Sequence, residues 1–439
     1  MNRLSTVGSD LYRHTLYNDF RAIPSTKGGS NMAGTKQIVL IILAVIIVAA
    51  AAILVYNHMN GDENESDPTD VLPRYTISGE TDLPGNFYIS FVYTKNIIML
   101  DGKGDVVWFK HGESPEDGVN TGYWDFKKHV IDGETYYSYH DQDSQYDKFG
   151  LPGFAPGERV ILDSEFNEVK RIKFERSDIV EKGHPLDGHD FLLIDLDHYI
   201  MSGYLKERVY NIPGYEETGS EVIYSYLQEV EDGEVVWDWR SIDYPETYDI
   251  TATDANPDAR DWDNVKGAPD YVHFNAMRLN DDGSLVCSFR HLDTILCLDR
   301  TKSLDTKDQI IWRLSGKNDE FRLTDEEKTC GQHYVTVDGD MITVFDNHNS
   351  AEATRICDFV IDDKNMVLKD FREYRIDGKF SSACGSAQHL YDDVFAIGWG
   401  CAENDTINMC VYDFATDTEL LRMILENGSN FTYRCVYYD

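Results

Sequence analysis

From about Arg74 onward, apolar residues recur at every second position in short runs, and polar breaks separate the runs. Examples are "FYISFVYTKNIIMLDGKGDVVWF", "EVIYSYLQEVEDGEVVWDW" and "GSLVCSFRHLDTILCLDR". β-Branched and aromatic residues dominate them, the composition of a half-buried strand. The breaks are Asp-Gly, Asn-Asp-Asp-Gly or Asp-Arg-Thr-Lys, which are hairpin turn sequences. Long stretches with helical spacing are absent. The pattern predicts an all-β domain over residues 73–439.

A loose unit recurs within it: a strand ending in Leu-Asp, a turn, then a strand ending in Trp or a cation. It reads "IIMLDGKGDVVWF", "VILDSEFNEVKRI" and "LCLDRTKSLDTKDQIIWRL" in different places. One outer hairpin per unit is the signature of a β-propeller. The length available accommodates about six to eight blades of about 45–55 residues. A propeller leaves a channel on its axis, and inner strands from every blade aim side chains at it.

The first 72 residues follow another pattern. Residues 38–56, "IVLIILAVIIVAAAAILVY", carry no charge over 19 positions. At about 1.5 Å per residue, such a helix crosses a bilayer core of about 30 Å. Arg3, Arg13, Arg21, Lys27 and Lys36 precede it, and "NGDENESD" follows. The positive-inside rule puts residues 1–37 in the cytoplasm as a tail, and everything after the span outside. Residues 57–72 read as an acidic linker. A cleaved signal peptide is the rival, but its apolar region is about 7–15 residues long and a small-residue cleavage site follows it. The expectation is an uncleaved signal-anchor in the cell membrane, single-pass, with an extracytoplasmic domain.

The formal charge of −38 excludes a nucleic-acid partner, which needs clustered Lys and Arg. An anionic substrate must then be held by a local cationic pocket against the global field. The 8 cysteines all fall at or after Cys287, with no CxxC spacing, so a zinc knuckle is not indicated. Export permits disulfides, but their pairing cannot be read. Sequons occur at Asn64, Asn404, Asn427 and Asn430.

Three histidines stand at comparable places, each at the head of a strand pair: His189 in "DGHDFLLIDLDHYIMSGY", His273 in "YVHFNAMRLNDDGSLVCSFRH" and His333 in "GQHYVTVDGDMITVFDNH". "GSAQHLYDDVFAIGWG", with Gln388 and His389, reads as a fourth copy. A lone histidine is more often structural. Equivalent positions in successive blades, however, face one channel, and unrelated core histidines have no reason to share them. Arg290 closes the strand "SLVCSF" and could fork onto a tetrahedral anion. Its plain alternative is an ion pair with Asp293. Asn275 lies two residues after His273, on the same face of a regular strand. His198 reads as a turn residue. His140, Asp141, Asp143 and Asp147 lack the calcium-loop spacing and read as a solvated acidic loop.

In order, "HFNAMRLNDDGSLVCSFRH", "IIWRLSGKNDEF", "GQHYVTVDGDMITVFDN" and "GSAQHLYDDVFAIGWG" resemble the arylsulfotransferase family. The resemblance implies a six-bladed propeller that transfers a sulfuryl group from a phenolic sulfate ester to a phenolic acceptor. It implies no nucleotide donor, no cofactor, no metal and a transient sulfohistidine. Carried over by motif, His333 matches the nucleophile; His273, Asn275 and Arg290 match the groups on the sulfuryl oxygens. His189 matches a further channel histidine, and Gln332 accompanies the nucleophile as a substrate-binding residue. Where the family often carries Asp after the Gln-His pair, this chain has Tyr334. The alternatives are a non-catalytic, membrane-anchored propeller that binds a ligand or protein, and a metal-dependent enzyme using the three histidines as ligands.

Overall fold

The computed structural model describes residues 71–92, 94–113, 121–142, 153–252, 260–263, 268–402, 407–426 and 431–439. The tail, the apolar run 38–56, most of the linker, Asp143, Asp147 and the sequon asparagines lie outside these. Among the described residues no helix is long and apolar enough to cross a membrane.

Strand β1 (Tyr75–Gly79) is followed by β2 (Asn86–Phe91), β3 (Asn96–Asp101) and β4 (Val106–His111). Next come β5 (Tyr123–Ile131), β6 (Glu134–Gln142), β7 (Pro156–Leu162), β8 (Glu168–Ile172) and the short β9 (Leu186–Asp187). β10 (Phe191–Leu193), β11 (His198–Val209), β12 (Ser220–Glu231) and β13 (Glu234–Arg240) form the next group. Then come β14 (Phe274–Leu279), β15 (Leu285–Phe289), β16 (Thr294–Leu298) and β17 (Ile310–Leu314). β18 (His333–Asp338), β19 (Met341–Asp346), β20 (Arg355–Asp362) and β21 (Val367–Tyr374) follow. β22 (Ser386–Tyr391), β23 (Val394–Gly398), β24 (Ile407–Asp413), β25 (Thr418–Leu425) and β26 (Thr432–Tyr438) complete the chain.

These strands make six antiparallel sheets. Four take consecutive strands in order: β5 to β8 with β9 on β7, β10 to β13, β14 to β17, and β18 to β21. The remaining two exchange ends of the chain. β26 pairs with β2 to complete the sheet β26-β2-β3-β4, and β1 pairs with β25 at the outside of β22 to β25. Each end of the propeller domain is thereby fixed by a strand from the other.

Hairpin chemistry sets the register. Asp132-Gly133 and Asp232-Gly233 both adopt positive φ at two successive residues, the two-residue turn that matches strand twist. The apolar faces then pack sheet against sheet, all the way round. Tyr88, Ile97 and Met99 meet Phe126, Tyr139 and Val160. Leu227, Trp237 and Trp239 meet Met277, Leu285 and Phe289. Trp312 and Leu314 share a cluster with Val335, Val344 and Phe359. Phe345 and Ile356 do so with Phe395 and Ile397, and Ala396, Val411 and Leu421 with Phe87, Ile89 and Ile98. Phe174 with Phe191 and Tyr199 joins the second sheet to the third. The cores close a ring, so the fold is a six-bladed β-propeller. Its inner strands are β26, β5, β10, β14, β18 and β22.

Cys287, Cys297, Cys330, Cys357, Cys410 and Cys435 are buried. They behave as small apolar side chains of the sheets. The sulfurs of Cys384 and Cys401 lie 4.0 Å apart, well beyond the roughly 2.05 Å of a disulfide bond.

Candidate active site

His333 opens β18. It pairs with Phe345, and the register then slips so that Val335 pairs with Val344. Tyr334 sits in the slip with φ of 52°. Such a bulge re-aims the neighbouring side chain. β19 returns to Asp346, and the next residue, Asn347, lies beside His333. Its Oδ1 is 2.7 Å from the imidazole Nδ1. The Nδ2 of Asn347 donates to the carbonyls of Ser381 (2.8 Å) and Cys384 (3.1 Å), which fixes the orientation of the amide. Oδ1 therefore accepts, Nδ1 carries the ring proton, and Nε2 presents a lone pair. The backbone N–H of Cys384 donates to that Nε2 at 3.2 Å, which agrees. Burial, followed by the charge of Arg290, pushes the His333 pKa well below its ordinary 6.5, outweighing the hydrogen bond donated to Asn347; His273 and His189 push the same way. The ring is uncharged at neutral pH.

His273 immediately precedes β14, with φ of 49°. Its Nδ1 is 2.5 Å from Oδ2 of Asp270, and its backbone N–H donates to Oδ1 of the same carboxylate. Burial, His189 and Arg290 push its pKa well below 6.5, against the pull of Asp187. Asp270 itself is raised to about 6 by burial, although His291, His189 and Arg290 oppose the rise. His189 lies between β9 and β10 and repeats the arrangement, with its Nδ1 on Oδ1 of Asp187. Burial would raise the Asp187 pKa, but His189 and the N–H of Ala155 (2.7 Å) outweigh it and hold the group below its usual range.

Arg290 follows β15. Its backbone N–H donates to the carbonyl of His273 (2.8 Å), so the β14–β15 hairpin sets the guanidinium across from that imidazole. Its Nη2 donates to the Ser382 carbonyl at 3.2 Å. Its charge acts on both His333 and His273. The rings of Tyr204 and His273, and of Tyr204 and His189, have centroids 5.4 Å apart. Trp124, Phe154 and Tyr433 add aromatic surface around the same two imidazoles. The structure thus gathers His189, His273 and His333 from three inner-strand heads, and Arg290 from the end of β15, into one buried cluster.

Two further sequence candidates occupy supporting places. Asn275 is buried, and its Nδ2 donates to the backbone carbonyl of Gln332 at 2.7 Å. Its Oδ1 is enclosed with no hydrogen-bond partner among the described residues. The Gln332 amide is engaged by protein: Nε2 with the carbonyls of Phe289 (3.1 Å) and Thr294 (3.3 Å), and Oε1 with the Thr329 hydroxyl (3.2 Å). It clamps β15 to the head of β18.

The fourth copy does not join them. Gln388 exchanges hydrogen bonds with the backbone of Tyr437, and His389 Nε2 is 2.8 Å from Oδ2 of Asp358. His389 lines a groove with Asp338, Asp358 and Asp393. His198 bonds Glu229 (2.6 Å), and Asp141 pairs with Lys95 (2.8 Å) and Arg171 (3.4 Å).

Sequence reasoning missed the floor of the channel. Lys127, Arg159, Arg278 and Arg434 surround the buried carboxylates of Asp125 and Asp190. Four cations face two anions. The guanidiniums of Arg278 and Arg434 lie over the ring of Tyr334, at 4.6 and 4.9 Å from its centroid. Burial lowers Lys127 to about 8 despite both aspartates. The excess positive charge meets the need for a local field favouring an anion inside an acidic protein.

Among the described residues, Asp270, His273 and His291 are also close enough to suggest a metal site. Their contacts are those of hydrogen bonds. His273 Nδ1 lies on the Asp270 carboxylate, and His291 Nδ1 is spent on the Asp270 main-chain carbonyl at 2.6 Å.

Comparison with known proteins gives a family and a set of structural neighbours. The family described as Arylsulfotransferase (ASST) matches residues 75–434. No curated protein matches the chain. Among solved structures, a protein of unknown function from Bacteroides caccae aligns at 8% identity with a TM-score of 0.43, covering 81% of this chain and 99% of that one. The periplasmic gluconolactonase of Pseudomonas aeruginosa aligns at 12% identity and a TM-score of 0.39, covering 78% and 84%. Virginiamycin B lyase from Staphylococcus aureus aligns at 8% and 0.35, covering 80% and 99%.

Proposed function

The chain belongs to the arylsulfotransferase family, and from that premise we propose that it moves a sulfuryl group from a phenolic sulfate ester to a phenol through a sulfated His333. Aryl sulfotransfer in general follows from the family; the donor, the acceptor and the covalent histidine are the proposal. The observation that carries it is the pair of contacts made by the two ring nitrogens of His333. Nδ1 donates to Asn347 Oδ1, which puts the lone pair on Nε2; the Cys384 N–H donates to that lone pair and must yield to sulfur, and burial and the Arg290 charge disfavour a proton there.

By analogy with phosphoryl transfer, sulfuryl transfer runs through a loose transition state, in which placement and charge stabilisation dominate. The Nε2 lone pair of His333 attacks sulfur, and the S–O bond to the aryl group breaks with its electrons on the phenolate oxygen. Arg290 stabilises the equatorial oxygens. His189 in its imidazolium form, with Nδ1 on the Asp187 carboxylate, protonates the leaving oxygen from Nε2 and becomes neutral. The acceptor phenol then returns a proton to that imidazole as its oxygen attacks sulfur and Nε2 leaves. The aromatic side chains around His189 and His273 offer faces for the two rings. Gln332 serves as a positioning residue, since its amide is spent within the protein. No step uses a metal.

We also place the domain outside the cell, held by residues 38–56 as a single membrane span with the N-terminus in the cytoplasm. Protease treatment of intact cells tests this: the domain is digested while the tail is protected.

Turnover of a chromogenic aryl sulfate tests the reaction. The full chain releases the phenol faster when a phenolic acceptor is added, with chelator present, and His333→Ala releases none. Transfer that survives in His333→Ala contradicts the assignment, and a wild-type chain that never turns over supports a binding propeller instead.

A further inference from the structure

Each channel histidine has a different partner at Nδ1. His189 and His273 meet carboxylates, Asp187 and Asp270. His333 meets a neutral amide, Asn347. We propose that this difference assigns the roles, and that Asn347 is the positioning residue that keeps the sulfated histidine labile; the proposal rests on the sulfohistidine reading above.

The argument follows the Nδ1 proton. When Nε2 bonds to sulfur, the ring of His333 still carries hydrogen at Nδ1, so the intermediate is an N-sulfoimidazolium. Its leaving group in the second half-reaction is neutral imidazole. A carboxylate at Nδ1 draws that proton away and leaves a neutral N-sulfoimidazole, whose departure must expel something closer to imidazolate. An amide oxygen accepts the hydrogen bond but cannot take the proton. Asn347 therefore fixes the tautomer for attack while leaving the N–S bond easy to break. The amide cannot rotate to present its NH2 group to the ring, because Nδ2 is held by the carbonyls of Ser381 and Cys384.

The carboxylates behind His189 and His273 do the opposite. A carboxylate raises the basicity of the far nitrogen, which suits a group that must accept and return a proton. One cluster thus holds an imidazole backed by an amide at Nδ1 beside two backed by carboxylates.

The test uses the full chain, wild type, Asn347→Asp and Asn347→Ala. Each is loaded with an aryl sulfate, then chased with a phenol and quenched at intervals, and the sulfated His333 peptide is quantified by mass spectrometry. The series is carried up to about pH 9, above the range to which burial raises a carboxyl. Wild type should label and discharge quickly. Asn347→Asp should label but discharge about tenfold more slowly once the new carboxyl is ionised, with the acid limb of turnover moved upward. Asn347→Ala should lower kcat for the loading step while leaving KM near wild type, since the reactive tautomer is no longer selected. Discharge of Asn347→Asp at the wild-type rate with an unchanged pH profile overturns the proposal. Absence of label in the wild type overturns the sulfohistidine reading itself, which separates the two failures. Should the variants misfold, nitrogen NMR of the wild-type imidazole decides. A proton on Nδ1 of His333 is expected, and a proton on Nε2 overturns the inference.

Discussion

The imidazoles of His189 and His273 meet edge to face, with ring centroids 5.0 Å apart and planes at 89°. They come from successive blades, and each has its own carboxylate behind it. In the proposed mechanism this places a carboxylate-backed imidazole, His189, beside His333 to deliver a proton to the leaving oxygen and recover it from the incoming one.

His189 is predicted to matter most when the leaving phenol is basic. His189→Asn should slow turnover of poor-leaving-group aryl sulfates by about 10²–10⁴, the range for losing a general acid. For strongly acidic phenols the loss should be far smaller. A plot of log rate against phenol pKa therefore steepens in the variant. An unchanged slope assigns His189 to packing.

Arg290 is predicted to act twice. Its loss removes a donor aimed at developing charge, so Arg290→Met should lower kcat/KM by about 10²–10³. It also removes the charge that, after burial, most depresses His333. In the proposed mechanism His333 works in its neutral form, so wild-type activity should persist below pH 6.5, with its acid limb there. In Arg290→Met that limb should move up toward 6.5. The pH–rate profile of the residual activity checks the direction.

Acid should destabilise the fold through the same residues. Burial depresses His333, His273 and His291 below 6.5 in the native state. The unfolded chain therefore binds protons first, and stability falls as pH drops below 6.5 by about 1.4 kcal/mol per pH unit for each such group. Asp270, raised to about 6, works the other way: its protonated form is favoured in the native state, so it adds stability as pH falls through that value. Urea titrations of wild type and His333→Asn between pH 7.5 and 5.5 should show a shallower fall in the variant.

The channel floor should be costly to disturb. Asp190 accepts from Lys127, from Arg278 (3.0 Å) and from the Met277 N–H (2.9 Å), and it lies 3.4 Å from Arg434. Asp190→Asn leaves the four cations facing a single carboxylate. Loss of one partner from a buried pair costs about 3–5 kcal/mol, measurable as a lowered urea midpoint.

Strand alternation and Asp-Gly turns made the blades legible, because a half-buried antiparallel strand writes its period directly into the chain. Closure was not legible: nothing local in Thr432–Tyr438 says that it pairs with Asn86–Phe91 at the other end of the domain. His333, His273 and Arg290 stood out because each caps a recognisable hairpin. Asn347 sat in the same quoted hairpin as His333. Its role follows only from register, since β19 must return alongside β18 to bring the two together. Gln388 and His389 misled because a Gln-His pair recurs in the chain, whereas in the structure both lie within β22 and not at its head. Lys127 (beside Lys128), Arg278 and Arg434 lie within separate strand runs, and their convergence depends on the ring. Tyr334, where the resemblance leads one to expect Asp, sits beneath two guanidiniums and contributes a π face to that floor.

The central claim is covalent chemistry at His333. The full chain is mixed with an aryl sulfate in the absence of acceptor, quenched within the first turnover, digested and weighed. A gain of about 80 Da, the mass of one sulfuryl group as expected for nucleophilic catalysis, should fall on the peptide bearing His333 and disappear on addition of a phenol. Phenol release without any mass gain at His333, or with the gain on another residue, contradicts the account.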